Sequence, residues 1–352
     1  MAEGIRLSYQ TWLAEHCHVL WTNNASTQPQ IPVHASGKVR ELPVMMFNQA
    51  LAPLKRGRFY PAQVLNTDEE LPGALFRVLE LSSDYLRADF NHPFAGRKCK
   101  LGMETGSDRA RGNARGNANA ETLLNWVGID TPLPDAEVDY SDTDAFTRDD
   151  DAPDSVFYTM PRRVMHIDNV CAERITAFYR NHLRARDTVL DLMAGWHSHL
   201  AGHTGDIIGL GMNAEEMADN PQLRSHVVHD LNATPRLALD DASFDVVVNT
   251  VSIEYLTQPL AVLKEAHRIL KPGGKLLITF SNRLFPPKVI ALWKQLHPVE
   301  RLNWVAQLVH AAGFSEIQIR VERGLERDTA DPYYPQLTEM DPVFGVSACK
   351  QG

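Results

Sequence analysis

The feature that most constrains the fold is the alternation of short apolar runs with helix-like stretches in the second half of the chain. Helical spacing of apolar residues is found over 172–183, 260–270 and 304–312. The apolar runs occupy residues 188–192, 206–210, 226–229, 244–249, 275–280, 317–321 and 343–348. Apolar strands that alternate with helices are typical of a sheet that is mostly parallel and buried on both faces. We therefore predict an α/β fold with a doubly wound, mostly parallel, seven-stranded sheet.

The first strand of this sheet leads into the first candidate binding loop. The strand ends at Asp191 and continues through Leu192, Met193 and Ala194 to Gly195. In an open α/β sheet, ligands bind beyond the carboxyl ends of the strands. A small residue there lets the backbone approach a ligand, and the next helix offers its N-terminal amides.

Five motifs in a defined order carry a family resemblance. They read VLDLMAG (189–195), IGLGMN (208–213), HDL (229–231), SFDVVVN (243–249) and RILKPGGKL (268–276). Over residues 157–349 the chain resembles class I S-adenosylmethionine-dependent methyltransferases of the type 11 kind. The resemblance implies a Rossmann-like methyltransferase sheet, S-adenosyl-L-methionine as cofactor and methyl transfer as the activity.

The resemblance also implies roles for individual residues. Loop residues after the first strand would flank the methionine part of the cofactor, and residues after the second would lie along its ribose and adenine. Asp230 would accept from the adenine amino group, and residues after the fourth strand would line the sulfonium side. The positions implied are Asp191, Met193, Ala194, Gly195, Gly211, Met212, Asn213, Asp230, Leu231, Thr250 and Val251.

Two departures from the family pattern concern the same cofactor site. Trp196 and His197 stand where the family has a glycine-rich loop. Gly211 stands where the family has an acid that binds both ribose hydroxyls. An Asn side chain carries no charge but can both accept and donate. We therefore expect Asn213 or a backbone contact to substitute for the acid.

The segment 157–168 precedes the first strand by about 20 residues. In similar enzymes a helix here folds over the cofactor as a lid. Tyr158, Arg162 and His166 are the candidates to face the cofactor carboxylate or the substrate, since the planar guanidinium of Arg suits a carboxylate. The alternative is a brace that packs on the sheet.

The methyl acceptor needs positioning more than it needs a protein base, because methyl transfer is an in-line displacement. The loops after the fourth and fifth strands are expected to rim its pocket. The candidate contacts are Glu254, Tyr255, Asn282 and Arg283. His199 is a candidate proton acceptor. His199 and His203 lie four residues apart, but no ligand set completes a metal site, and none is expected.

The N-terminal region is expected to form a β-rich module over residues 1–105. The run YLRADFNHPFAGRKCKL (85–101) resembles the closing hairpin of FKBP-type prolyl isomerases. The aromatic-lined proline pocket of that family is not recognisable upstream, so we do not expect isomerase activity. Residues 106–155 are expected to be a linker and an acidic connector, and residues 156–352 the methyltransferase domain.

Charge and composition restrict the classes of partner that we expect this chain to bind. Nine acids and one base lie between Asp135 and Asp154 and account for nearly all of the net charge of -9. No broad basic face is available for nucleic acid. No apolar run approaches a membrane span. Four widely separated cysteines fit a cytoplasmic setting.

We therefore expect methyl transfer to a small-molecule acceptor, with the N-terminal module aiding substrate or partner recognition. Two alternatives remain. The chain could methylate a protein or peptide presented by the N-terminal module, or it could be a non-catalytic binding or chaperone-like protein with a degenerate methyltransferase fold.

Overall fold

A computed structural model gives the architecture of the chain. It describes residues 5–12, 34–47, 54–73, 75–91, 100–105, 139–140, 144–296, 298–323 and 325–352. The described residues form a nine-stranded sheet with helices on both faces and a separate four-stranded sheet.

The nine-stranded sheet contains all seven predicted strands. In chain order its members are β1 (Ile5–Trp12), β6 (Lys100–Thr105), β7 (Val189–Leu192), β8 (Ile207–Gly211), β9 (Ser225–Val228), β10 (Phe244–Thr250), β11 (Leu270–Phe280), β12 (Ser315–Arg323) and β13 (Val343–Cys349). The spatial order is β6-β1-β12-β13-β11-β10-β7-β8-β9. The five strands from β11 to β9 run parallel, and the remaining pairings are antiparallel. The predicted Rossmann-like, mostly parallel seven-stranded sheet is therefore confirmed, and two N-terminal strands extend its edge.

The helices that flank this sheet are short except for three. They are α1 (Asp154–Phe157), α2 (Asn169–His182), α3 (Ala214–Ala218), α4 (Pro259–Ile269), α5 (Ala291–Gln295) and α6 (Pro298–Ala311), with 3-10 turns at Ser36–Lys38, Val44–Met46, Ala62–Val64 and Ile253–Tyr255. The Asp168 carboxylate accepts from the amides of Val170 and Cys171 and so starts α2.

Alternate residues of each parallel strand point into two different cores. Val189 and Val246 pack with α2 on one face. Their neighbours Leu190 and Val247 pack with α4 and α6 on the other. Because helices cover both faces of the sheet, the side chains on either face of a strand are apolar. Each strand is therefore a continuous apolar run.

The four-stranded sheet is antiparallel, in the order β2 (Val39–Pro43), β5 (Tyr85–Asp89), β4 (Leu75–Leu81) and β3 (Phe59–Pro61). Four aromatic side chains form its core, with ring centroids 5.4 to 5.8 Å apart: Phe47, Tyr60, Phe76 and Phe90. The sheet contacts α6 through Arg58, whose Nε lies 2.8 Å from Oε1 of the buried Glu300.

The N-terminal residues are shared between the two sheets. Strands β2 to β5 form the small sheet, whereas β1 and β6 pair with the large one. The expected boundary at residue 105 therefore does not separate the sheets. The Gly- and Arg-rich run at 106–119 lies outside the described residues.

The end of the acidic connector packs against the protein. The amides of Ala291 and Leu292 donate to the carbonyls of Thr147 and Ala145. The Lys288 ammonium is fully buried and lies 3.1 Å from an oxygen of Asp150. Residues 144–154 therefore form an anchored surface segment, in which Ala145 and Asp154 are buried and most of the others are exposed. Within the described chain, no helix is both long and apolar enough to cross a membrane.

Candidate active site

A pocket opens at the carboxyl ends of β7, β8, β9 and β10. The chain order of the strands reverses between β7 and β10, which is where ligands bind in open α/β sheets. Nearly every residue expected to hold the cofactor lines it: Tyr158, His166, Asp191, Met193, Ala194, Gly195, Gly211, Met212, Asn213, Asp230, Leu231, Thr250 and Val251. Their individual roles remain predictions.

Backbone strain is concentrated at this pocket. Five non-glycine residues of the described chain have a positive φ, and three of them line the pocket. These are Met193 at 67°, His199 at 54° and Val251 at 46°. Left-handed conformations of such side chains are costly and cluster at functional sites.

The loop after β7 is drawn tightly against the end of β8. The amide of Ala194 donates to the carbonyl of Leu210 at 2.9 Å. A Cβ added at Gly211 would overlap the carbonyl oxygen of Ala194. Gly211 is therefore required by close packing, because no side chain fits between the loop and the strand.

Asp191 lies at the base of the loop with only 3 % of its surface exposed. Burial raises the pKa of this carboxyl to about 7, against a smaller opposing effect of the Ser198 hydroxyl. Its Oδ2 has no hydrogen-bond partner among the described residues. A buried carboxylate oxygen without a partner is costly, so the site fits a cationic or hydrogen-bonding ligand group.

His199 also lines the pocket and is 7 % exposed. Burial, reinforced by His197 at a ring distance of 4.5 Å, lowers the pKa of His199 to about 3. The imidazole is therefore neutral at ordinary pH, and its Nδ1 has no partner within the described chain. So low a pKa does not favour a role as proton acceptor, and the role expected for His199 stays a prediction.

The side chain of Asn213 already makes hydrogen bonds within the protein. Its Oδ1 accepts from the amides of Glu215 and Glu216 and so caps α3. Its Nδ2 donates to the carbonyls of Tyr158 and Thr159 at 2.9 and 3.2 Å. Asn213 thus fastens the segment over the pocket, and the expectation that it replaces the missing ribose acid is not supported by this geometry.

The segment 154–167 contributes Asp154, Tyr158 and residues 164–167 to the pocket lining. Besides Asn213, the indole Nε1 of Trp196 holds it by donating to the Val164 carbonyl at 3.1 Å. Oε1 of Glu216 accepts from the Arg162 amide at 2.6 Å. The bulky residue at 196 therefore has a structural use, because it ties the loop after β7 to the segment above it.

The far side of the pocket is aromatic. Phe285 lies at its centre, with ring distances of 4.9 Å to His166 and 5.9 Å to both Tyr255 and Phe157. The Phe285 amide donates to the Tyr255 hydroxyl oxygen at 2.8 Å. Burial raises the pKa of Tyr255 well above its ordinary value, so its phenol stays protonated.

Four of the expected site residues lie away from the pocket lining. The Arg162 guanidinium stacks 4.2 Å from the centroid of the Phe157 ring. Glu254 is fully buried, Asn282 is exposed, and Arg283 pairs with Asp341 at 3.0 Å. Loop residues were assigned to the rim of the acceptor pocket because they follow strands. The sequence of a loop does not define the direction in which its side chains point.

Other lining residues were not singled out from sequence: Asp154, Glu216, Asn232, Ser252 and Phe285. Asn232 follows the HDL motif directly and donates from Nδ2 to Asp154 and to the Tyr255 carbonyl. Its position one residue beyond the motif is the signal that could have found it. The described residues contain no group of three or more candidate metal ligands.

The fold and the pocket together define a Rossmann-like α/β domain with a ligand pocket at its switch point. A profile described as "Methyltransferase domain" matches residues 194–278. The ubiquinone/menaquinone biosynthesis C-methyltransferase of Rubrivivax gelatinosus is 36% identical over 177 residues, which cover 45% of this chain and 70% of that protein. The chain therefore belongs to the S-adenosylmethionine-dependent methyltransferase family.

Two further comparisons have lower coverage or similarity. The arsenite methyltransferase of Aquipseudomonas alcaligenes is 34% identical over 94 residues, which cover 22% of this chain and 26% of that protein. A solved S-adenosylmethionine-dependent methyltransferase from Aquifex aeolicus has a TM-score of 0.35 and 17% identity, and the match covers 56% of this chain and 97% of that one. The chain thus spans only about a quarter of the arsenite enzyme.

The residues present fit the cofactor of the family. Three polar atoms at the pocket lack a hydrogen-bond partner in the described parts of the chain: Oδ2 of Asp191, Nδ1 of His199 and Oγ of Ser252. A ligand that carries ammonium, carboxylate and hydroxyl groups can satisfy such atoms.

Proposed function

We propose that this chain transfers the methyl group of S-adenosyl-L-methionine to a small-molecule acceptor. The observation that carries the proposal is the pocket at the switch point, with Oδ2 of the buried Asp191 carboxyl at its base and without a partner in the described chain. When bound, the cofactor supplies an electrophilic methyl group on a sulfonium. The residues of this chain bind it, orient the acceptor and exclude water.

The residues around the pocket divide by their chemistry. We assign Asp191 to the ammonium of the methionine part, because its Oδ2 has no protein donor in the described chain. We assign Asp230 to the adenine amino group, as the family resemblance implies. The Asp230 Oδ1 accepts from the amides of Asn232 and Ala233, which fixes its orientation. Thr250 and Val251 line the pocket at the end of β10, on the opposite side of β7 from β8, and we assign them to the border of the transferred methyl.

A planar, largely apolar acceptor is the class that the aromatic wall favours. Phe285, Tyr255 and Tyr158 offer ring faces and edges to it. The rings of such an acceptor would stack against them and be held in line with the methyl group. Arsenite, the acceptor named for one relative, is a thiophilic ligand, and neither Cys171 nor Cys349 lines the pocket.

His166 is the residue we assign to proton removal from the acceptor. It lines the pocket beside Phe285, and burial together with the charge of Arg162 lowers its pKa. A neutral imidazole can accept a proton at a ring nitrogen. A His166→Gln variant should lose turnover with a phenolic acceptor by more than it loses affinity for the cofactor.

The first test is calorimetric titration with S-adenosylhomocysteine. Micromolar binding that is weakened at least tenfold in Asp191→Asn would support the site. Asp240→Asn is the matched control, because Asp240 is exposed and away from the pocket. No binding by the wild-type protein would refute the proposal.

The second test identifies the acceptor class. Labelled methyl donor is supplied with small phenols and hydroquinones in one series, and with arsenite or proline-containing peptides in two others. Transfer to the first series alone is expected. Transfer to peptides alone would instead support the protein-methyltransferase alternative.

The four-stranded sheet is proposed to be an FKBP-like module that recognises a substrate or partner without isomerising it. The aromatic residues that it contains are core residues, since Phe47, Tyr60, Phe76 and Phe90 are at most 8 % exposed. They therefore line no open proline pocket. A standard prolyl-peptide assay should show no acceleration above background, and any proline-specific acceleration would overturn this assignment.

A further inference from the structure

The nucleoside part of the proposed ligand needs a hydrogen-bond acceptor that the end of β8 does not supply. A ribose presents two neighbouring hydroxyls, and a carboxylate is the side chain that accepts from both. Position 211 is a glycine, and no side chain fits there, because an added Cβ would overlap the Ala194 carbonyl oxygen. Asn213 is committed to capping α3 and to the carbonyls of Tyr158 and Thr159.

Four carboxylates line the pocket, and their partners distinguish them. Asp154 is saturated, because Arg148 reaches both of its oxygens at 2.7 and 2.9 Å and Asn232 donates to one of them at 2.7 Å. Asp191 and Asp230 lie at the ends of β7 and after β9, at opposite sides of the pocket. Only Glu216 stands next to the end of β8, between those two.

The position of Glu216 is defined from two sides. Its Oε1 accepts from the Arg162 amide at 2.6 Å. Its Oε2 lies beside the loop after β7, at 3.1 Å from the position that a Cβ of Gly195 would occupy. The carboxylate therefore flanks the Ala194–Gly195 peptide, whose other side closes on Gly211. The absence of a side chain at Gly195 leaves this approach open.

We propose that Glu216 binds the ribose hydroxyls of the cofactor, in place of an acid at the end of β8. This inference rests on the proposed function, which puts the methionine part of the cofactor at Asp191 and the adenine at Asp230. The ribose covalently joins these two parts. It must therefore lie between them, where Glu216 is the carboxylate that lines the pocket.

The assignment also gives the lid a role in recognition. One oxygen of Glu216 is held by the backbone of residue 162, so the carboxylate has a defined orientation while the segment is closed. The ribose hydroxyls donate to the carboxylate, and no bond is made or broken. Glu216 is thus a binding residue that couples closure of the segment 154–167 to the nucleoside.

The test is a calorimetric comparison of two ligands, S-adenosylhomocysteine and its 2′-deoxyribose analogue, with three proteins. The proteins are the wild type, Glu216→Gln and the control Glu215→Gln. Glu215 is the neighbouring acid, and its side chain is 74% exposed and points away toward Arg163. The Gln at 216 retains an oxygen for the Arg162 amide, so the closed segment is preserved.

The wild type and Glu215→Gln should both bind S-adenosylhomocysteine at least about tenfold more tightly than the analogue. Glu216→Gln should bind S-adenosylhomocysteine about tenfold to a hundredfold more weakly and should discriminate little between the ligands. Equal weakening of both ligands would mean a purely structural role and would overturn the assignment, as would unchanged discrimination. Failure of the wild type to bind either ligand would refute the proposed function itself, so the two failures are distinguishable.

Discussion

The four-stranded sheet and the pocket of the nine-stranded sheet both bury polar side chains, but they differ in how those side chains are paired. In the small sheet, the Asn91 amide donates to the Asp89 carboxylate at 2.7 Å and to the Ala35 carbonyl at 3.0 Å. The buried Arg77 donates from Nε to the Gly57 carbonyl at 2.9 Å. These contacts are internal, and they hold the turn and the strands together.

The pocket shows the opposite pattern. Asp191, His199 and Ser252 each keep a buried polar atom without a partner inside the described regions. Such atoms cost free energy in the folded protein unless something else satisfies them. We interpret the three atoms at the pocket as groups kept for a ligand, because they line the pocket as well as lacking a partner.

The largest expected effect on stability comes from removing Arg58 from its buried ion pair with Glu300, which joins the small sheet to α6. Arg58→Ala removes the partner of the buried Glu300 carboxylate, which also accepts from the Phe59 amide at 2.9 Å. We expect a loss of about 3–5 kcal/mol in the free energy of unfolding, because the remaining charge is buried. Denaturant titration measures this value.

The control for Arg58→Ala is Arg87→Ala. The Arg87–Glu80 pair of the small sheet is about half exposed on both sides. Exposed pairs contribute at most about 1 kcal/mol. If the two variants lost equal stability, the buried contact between the small sheet and α6 would have no special importance.

An unpaired group outside the pocket sharpens the comparison further. Glu254 is fully buried, neither of its oxygens has a partner in the described chain, and it does not line the pocket. Burial raises its pKa to about 8. The folded state therefore binds a proton that the unfolded state, with a pKa of 4.5, releases first. Stability from this group is full below about pH 4.5 and is lost as the pH rises toward 8.

We expect Glu254→Gln to flatten this dependence. Between about pH 5 and 8, the wild type should lose about 1.4 kcal/mol per pH unit more than the variant. Denaturant titrations at several pH values, without ligand, measure both slopes. Parallel slopes would show that Glu254 is ionised in the folded protein and has a partner.

The parts of this picture that were predictable from sequence are those that follow from periodicity. The apolar run at 244–249 predicted β10, and the helical pattern at 260–270 predicted α4. Strand ends then predicted most of the pocket lining, since the chain direction in a parallel sheet puts them at one edge.

The remaining parts depend on pairings that periodicity does not specify. Strands β1 and β6 join the large sheet, although their pattern of polar and apolar residues does not specify which strand they pair with. Glu254 and Asn282 were assigned to the pocket rim because they follow strands, but loop backbone turns one inward and the other to solvent. Glu216 was missed because an acid in the first helical turn is usually explained by the helix dipole alone.

A steric change in the pocket is expected to have a smaller effect. Gly211→Ala forces the Ala194 carbonyl to move, since the added Cβ overlaps it. Overpacking of this kind costs about 1–3 kcal/mol. Gly37→Ala is the control, because nothing lies within 4 Å of its added Cβ. Thermal unfolding of both variants measures the difference, and equal midpoints would mean that the loop after β7 yields freely.

The smallest expected effect is a fraction of a proton at Asp191, and it tests directly whether this unpaired group is kept for a ligand. Because the pKa of the buried carboxyl is about 7, it is partly protonated near neutral pH. The pKa of this carboxyl in the unfolded chain is 3.8, so without ligand Asp191 reduces stability as the pH rises from about 4 to 7.

A bound ammonium group favours the ionised form of Asp191 and should expel the proton. Binding of S-adenosylhomocysteine at about pH 6.5 should therefore release more protons in the wild type than in Asp191→Asn. Calorimetry in buffers of different ionisation enthalpy counts them. Equal counts would mean that Asp191 does not meet the ammonium, and that its missing partner lies elsewhere in the ligand.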